Sequence, residues 1–326
     1  MDVLVAGAGG AIGRRLVPQL VRRGHRVVAT TRSQAKFDEL RSMGAVPMVM
    51  DGLDPVSVGE VVGRASPEVV VHQMSALDGV GNLRRFDREF AVTNELRTAG
   101  TDHLLTSAVA AGARRFVAQS FTGWPNSRDG GPVKTEEDLL DPSPPAAQRH
   151  TLRAIRHLER AVLDAPVEPV ILRYGSFYGP GASDQLVAMV AKRKLPIAGS
   201  GAGVWSFVHI DDAAAATVLA VESSACGVFN IVDNEPAPVS EWLPYLAESI
   251  GARRPHRVPV WLARLAGGEV AVSLLTQIRG SSNAKAVREL GWEPSHTTWR
   301  DGFRGGLTDE GTPSSPNVPA GRPFTG

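Results

Sequence analysis

The stretch Met1–Arg15, MDVLVAGAGGAIGRR, decides how the rest of the chain is read. Asp2 to Ala6 is a short, apolar, β-branched run, the pattern of a buried strand in a parallel sheet. Gly7, Gly10 and Gly13 follow at a spacing of three, and then Leu16, Val17, Leu20 and Val21 repeat at the period of a helix. Strand, glycine turn (with Ala11 and Ile12 inside it) and helix start make an anion site. The glycines let the backbone approach a pyrophosphate, while the free N–H groups and dipole of the helix favour its charge. Three glycines alone also suit an ordinary turn; it is their place between a strand and a helix that points to a dinucleotide.

Composition sets the outer bounds. The chain has 326 residues, 43% of them hydrophobic and 21% charged, enough for one large or two modest domains. A net charge of +1 argues against a surface built to neutralise nucleic-acid phosphates. No apolar run is long enough to span a bilayer, and Met1-Asp2 leads straight into a strand with no secretion signal, so a cytoplasmic protein is expected. Cys226 is the single cysteine, which rules out an internal disulfide and a cysteine metal cage; between Ala225 and Gly227 it reads as a packing residue.

His25 to Thr30 reads as a second strand, ending in Thr31, Arg32 and Ser33. In nucleotide-binding sheets an acidic residue at this point suits a ribose 2′-hydroxyl, whereas an arginine accommodates a 2′-phosphate. Arg32 with Ser33 therefore points to NADP(H), and Arg14 could add a second positive charge. Ala45 to Met50 gives a third strand closed by Asp51-Gly52, and Val69 to His72 a fourth that leads into Gln73-Met74-Ser75. A long helix is expected from Phe90 to Ala111, and then a strand from Arg115 to Gln119 ending at Ser120. Residues 123–147, rich in Pro, Gly and acids, read as a surface loop or lid. A helix from Thr151 to Leu163 and a strand from Val167 to Leu172 follow. This alternation predicts an α/β, doubly wound parallel sheet with its ligands at the strand C-termini. The expected division is a nucleotide-binding core over 1–180 and a small C-terminal substrate lobe over 181–307, within which 205–233 return to the core. A disordered tail is expected over 308–326.

Several ordered motifs resemble the extended short-chain dehydrogenase/reductases of the NAD-dependent epimerase/dehydratase family, whose core is a Rossmann fold. They are the glycine turn, VVHQMSA, Asn94 with Gly100-Thr101, RRFVAQS, LRYGSFYGPG, WSFVHIDDAAAA and SSNAKAVRELGWEP. The resemblance implies that Asp51 holds the adenine amine and that Gln73 to Ser75 line the middle of the cofactor. It also implies that Tyr174 to Phe177, with Ser176 among them, lies beside the nicotinamide. Asp211 reads as the N-cap of an alanine-rich helix and His209 as a satisfied core residue, so no metal is expected.

Two departures from that family matter for chemistry. Its Tyr-x-x-x-Lys signature lets lysine lower the tyrosine pKa so that the tyrosine can move a proton. Here alignment on Glu159 puts Thr151 and Ile155 in those places; no tyrosine precedes residue 174, and no lysine lies between Lys134 and Lys192. Ser120, Thr122 and Thr151 are the hydroxyl candidates for catalysis, with His150, His157, Tyr174 and Tyr178 as other proton carriers. The second departure is Trp205, near where nucleotide-sugar members carry a diphosphate-gripping arginine; an aromatic there suits an apolar or flat ligand. The expected activity is NADPH-dependent reduction of a carbonyl on a nonpolar or polycyclic small molecule, with the proton drawn from water, the substrate or Ser120/Thr122. The alternatives are a cofactor-recycling epimerase, dehydratase or isomerase, and a non-catalytic NADP-binding redox sensor. A monomer or homodimer is expected, with no nucleic-acid or membrane partner.

Overall fold

β1 (Asp2–Ala6) lies inside a seven-stranded sheet. The other strands are β2 (Arg26–Thr31), β3 (Val46–Val49), β4 (Val69–His72), β5 (Arg115–Phe121), β6 (Glu168–Tyr174) and β7 (Gly227–Ile231). Their spatial order is β3-β2-β1-β4-β5-β6-β7 and every pairing is parallel. The order reverses between β1 and β4, which opens a crevice for ligands above their C-terminal ends. This computed structural model describes residues 1–76, 81–305 and 307; the expected tail over 308–326 lies outside the described residues.

The apolar runs read in the sequence are strands because both sheet faces are covered. Val3, Val5, Val27, Ala29, Val69, Val71 and Val117 point to one face, against the helices Gly13–Arg22 and Ile210–Glu222. Leu4, Ala6, Val28, Val70, Phe116 and Ala118 point to the other, against Pro55–Ala65, Thr101–Ala110 and Arg149–Leu163. This is the period-two alternation of a sheet buried on both sides. A separate apolar cluster around Trp242, Trp299, Phe207 and Tyr178 forms the core of the smaller lobe. No helix among the described residues is long and apolar enough to cross a membrane.

The expected helix over 90–111 is interrupted. It is assembled from Phe86–Glu89, Ala91–Glu95, a wide π-type turn Leu96–Gly100 and Thr101–Ala110. The Thr98 hydroxyl donates to the Asn94 carbonyl and the Thr101 hydroxyl to the Leu96 carbonyl, five residues back. Such back-bonding competes with the helix ladder and bends it.

The loop over 123–147 is fastened at several points. Val133–Lys134 pairs with Gly280–Ser281, Asn126 bridges Leu140, and Glu136 accepts the Asn230 N–H of the edge strand β7. Two other expectations are corrected. Asp211 is not the cap of its helix: His209 Nδ1 accepts the Asp211 N–H, while the Asp211 carboxylate pairs with Arg15 at 2.7 Å. Cys226 is exposed, since it sits at a turn before the edge strand β7 rather than in a core.

Candidate active site

At the C-terminal end of β1 the chain turns at Gly7, whose φ of +89° favours glycine. A Cβ there would meet the Gln73 carbonyl oxygen at 2.6 Å, and one at Gly13 would meet Ala8 O at 2.3 Å. A Cβ at Gly10 meets only Gly7 O, at 3.3 Å, so this glycine keeps its outer side open toward the crevice. Ile12 is buried and precedes the helix, while Ala11 is exposed on the turn.

Arg32 and Ser33 lie just past β2, both exposed, and no ion pair is recorded for Arg32 among the described residues. Ser33 also caps the short turn Gln34–Lys36 through its hydroxyl. The Lys36 ammonium donates to the Gly9 carbonyl at 3.3 Å and so hangs over the glycine turn. Sequence reading missed this second cation. Arg14, expected to add charge here, is instead neutralised by Glu39 at 2.6 Å. Asp51 is exposed past β3 and also forms a tight turn with Leu53 N–H; Gly52 lies so close to Met74 that a Cβ would meet its sulfur at 2.5 Å. Gln73 Nε2 donates to the Tyr174 hydroxyl, the Met74 carbonyl accepts from Gln119, and Ser75 is exposed at the mouth. Ser176 and Phe177 follow β6, and the Phe177 ring lies 5.4 Å from that of Tyr174.

The hydroxyl candidates are less available than expected. Ser120 donates to Glu159 at 2.7 Å, and Glu159 is held by Arg173 through two bonds of 2.7 and 2.6 Å, all buried. Ser120 therefore belongs to a buried ion pair rather than to an open cleft. Thr122 shares a 2.6 Å bond with Ser281 and approaches Asn126 at 3.3 Å. Thr151 is fully buried; its hydroxyl donates to Asp87 at 2.7 Å and accepts from Asn94 Nδ2 at 3.0 Å. Asp87 also takes the N–H groups of His150 and Thr151 and so caps that helix from a distant segment. Asn94 Oδ1 in turn accepts from Arg97 at 3.3 Å, which completes a directed chain Arg97→Asn94→Thr151→Asp87.

Tyr174 and Tyr178 are both held in the neutral form. Burial pushes Tyr174 up to about 12, and its hydroxyl is tied to Thr217 and Gln73. Burial also raises Tyr178, helped by the negative charge of Asp233. His150 is exposed beside Arg153, and the exposed side chain of His157 pairs with Asp102. Trp205 is not a ligand platform: its indole N–H donates to Leu274 O, and its ring packs on Phe207 and Trp242 in the lobe core. Trp242 and Trp299 are buried in the lobe core, whereas Trp261 is 63% exposed. A second aromatic group lies on the segment that carries Asp87: Phe86 stacks on Phe90 at 4.4 Å and meets Trp124 edge-on at 5.3 Å, with both phenyl rings buried against Val270 and Trp124 half-buried.

Farther off, polar atoms of His209, Asp212 and His296 lie within 4.8 Å of one another; of the three, only His296 went unremarked in the sequence. The Asp212 carboxylate is filled by Ser295 and His296 N–H groups, and the two imidazoles stack face to face at 3.7 Å. This group fastens the 295–296 loop to the helix Ile210–Glu222.

The family model for the NAD dependent epimerase/dehydratase family matches residues 3–231. The chain belongs to that family. Among curated members, it is 44% identical over 313 residues to a 3-diazoavenalumate denitrifying reductase of a Streptomyces species, covering 93% of this chain and 99% of that one. It is 30% identical to the 2-alkyl-3-oxoalkanoate reductase of Stenotrophomonas maltophilia, covering 78% and 77%. Solved structures of the epimerase fold superpose well. The Thermus thermophilus UDP-glucose 4-epimerase in complex with NAD gives a TM-score of 0.70 at 24% identity, covering 94% and 97% of the two chains. A human epimerase family protein with NADPH gives 0.71 at 19%, covering 93% and 98%.

Proposed function

We propose that the protein is an NADPH-dependent reductase of a flat, largely apolar small molecule, and that its acceptor needs no proton from a protein acid. The observation that carries this reading is the Thr151 hydroxyl, buried and donating to Asp87, with buried Ile155 four residues on. NADPH, when bound, supplies hydride; the chain holds and orients the reactants. The glycine turn suits the pyrophosphate, Arg32 with Lys36 suits a 2′-phosphate, and Gln73 to Ser75 with Ser176 and Phe177 suit the nicotinamide half.

The likeness to a denitrifying reductase that acts on a diazo compound supports one acceptor in particular. For an aryl diazonium the balance is Ar–N2⁺ + NADPH → Ar–H + N2 + NADP⁺: hydride enters, the C–N bond breaks, and dinitrogen leaves with that bond's electron pair. No external proton is consumed. A ketone needs one more proton, and the likeness to a 3-oxoalkanoate reductase keeps that second reading open, with a substrate hydroxyl or water as its source. NADPH deuterated at the transferring carbon separates the two. Deuterium on an aromatic ring with release of N2 is expected; deuterium on a carbinol carbon would favour the ketone. Its absence from every product would point to cofactor recycling or to a sensor.

Cofactor choice has its own test. Arg32→Ala should cost NADPH about 1.5–3 kcal/mol of affinity, the scale of hydrogen bonds to a charged group, and leave NADH nearly unchanged. Equal losses for both nucleotides in a calorimetric titration would place the 2′-phosphate elsewhere.

A further inference from the structure

The π-type turn Leu96–Gly100 buries Leu96 and Gly100 and carries Arg97 on the side that faces Asn94. Such wide turns concentrate at functional sites because they rotate a side chain out of the regular helix register. The Arg97 guanidinium lies over the Phe90 ring, 5.8 Å from its centre, and spends one N–H on Asn94 Oδ1. No carboxylate among the described residues lies within ion-pair distance of it; Asp87 is reached only through Asn94 and Thr151. It also acts on the buried His72, which burial pushes down to about 4 and so leaves neutral. Desolvation brings Arg97 down to about 10, which keeps it charged at neutral pH.

A guanidinium has five N–H donors in a planar fork. Arg97 is half-buried over the Phe90 ring with no acid beside it, and partly desolvated charges are normally paired. Four donors are left for a ligand, beside the Phe86–Phe90 cluster that Trp124 borders and one side chain away from Thr151.

We propose that Arg97 is the anion-binding residue of the substrate site, taking the carboxylate of an aromatic acid whose ring lies on the side of Trp124, the half-buried member of that cluster. The inference rests on the reading of a flat apolar substrate given above, and adds the charge that substrate carries. A carboxylate matches the planar fork and neutralises one positive charge, whereas a phosphate dianion would leave charge over. The cofactor phosphates have their own partners at the glycine turn and at Arg32.

The test titrates the NADP⁺-loaded protein with benzoate and cinnamate, and with benzamide and cinnamamide as uncharged counterparts. The carboxylates should bind about tenfold or more tightly than the amides. Arg97→Gln should erase that preference while leaving amide and NADP⁺ affinities in place, and Arg97→Lys should keep part of it. Arg97→Gln should also raise the melting temperature of the unliganded protein, because it removes an unpaired charge; a purely structural arginine would lower it. The proposal falls if neither carboxylate is preferred by the wild-type protein, or if Arg97→Gln weakens NADP⁺ itself. Deuteride transfer from NADPH to a carboxylate-bearing aromatic substrate, with kcat/KM unchanged in Arg97→Gln, would sink this proposal and leave the reductase reading standing.

Discussion

Gly10→Val weakens nucleotide binding on the order of 100-fold and leaves the fold in place: that is the expected result of filling the open side of the glycine turn. Gly10 is exposed and does not adopt the left-handed backbone, and the first atom of a new side chain meets only Gly7 O at 3.3 Å. Valine is thus tolerated by the protein itself, with a stability change within about 1 kcal/mol. The isopropyl group projects into the space a pyrophosphate needs, so NADPH affinity should fall on the order of 100-fold, about 3 kcal/mol. Gly13→Val is the contrast: its Cβ would stand 2.3 Å from Ala8 O, and this variant should fail to fold. Nucleotide titration and thermal melting of both variants check the pair. Retained binding in Gly10→Val would mean that the cofactor lies away from this turn.

The second large effect belongs to the Ser120–Glu159–Arg173 network, where Arg173 stands opposite Ser120 in the sheet register. Glu159→Gln leaves the Arg173 guanidinium buried without its counter-charge, and breaking a buried pair in this way costs about 3–5 kcal/mol. Urea unfolding should register that loss. Ser120→Ala removes one hydrogen bond from a carboxylate that keeps its two bonds to Arg173. It should cost about 1.5–3 kcal/mol or less, with turnover of the folded enzyme little changed. If Ser120→Ala instead abolished turnover while Glu159→Gln unfolded normally, Ser120 would be a catalytic hydroxyl and the pair a secondary feature.

What the sequence disclosed follows from how locally each feature is determined. The strands were legible because a sheet covered on both faces demands short continuous apolar runs, and Val3 to Val5 or Val69 to Val71 satisfy that demand within a few residues. The glycine turn was legible for the same reason. The broken helix was not, because its register shifts through hydroxyls that only look like helix-tolerant threonines in the sequence. Lys36, Asp87 and Arg97 escaped notice because their partners are set by tertiary contact. Lys36 reaches a carbonyl 27 residues away, and Asp87 meets Thr151 across 64 residues. Trp205 misled in the opposite direction: an aromatic at a suggestive position was claimed by the core of its own lobe. What Thr151 touches was not legible either, because the carboxylate beside it comes from another helix.

The far half of the chain supplies part of the first half's shelter. Helix Ile210–Glu222 lies on helix Gly13–Arg22 and closes the sheet face lined by Val3, Val5 and Val117, and β7 completes the edge beyond β6. Arg115, fully buried at the start of β5, donates to the Ala220 and Ala225 carbonyls more than a hundred residues on. The nucleotide-binding part is therefore not a detachable module. A chain severed after residue 180 would leave an open strand edge and a bare valine face, both invitations to aggregation. On the ribosome, the amino-terminal strands must wait for most of the polypeptide to emerge before their sheet can close.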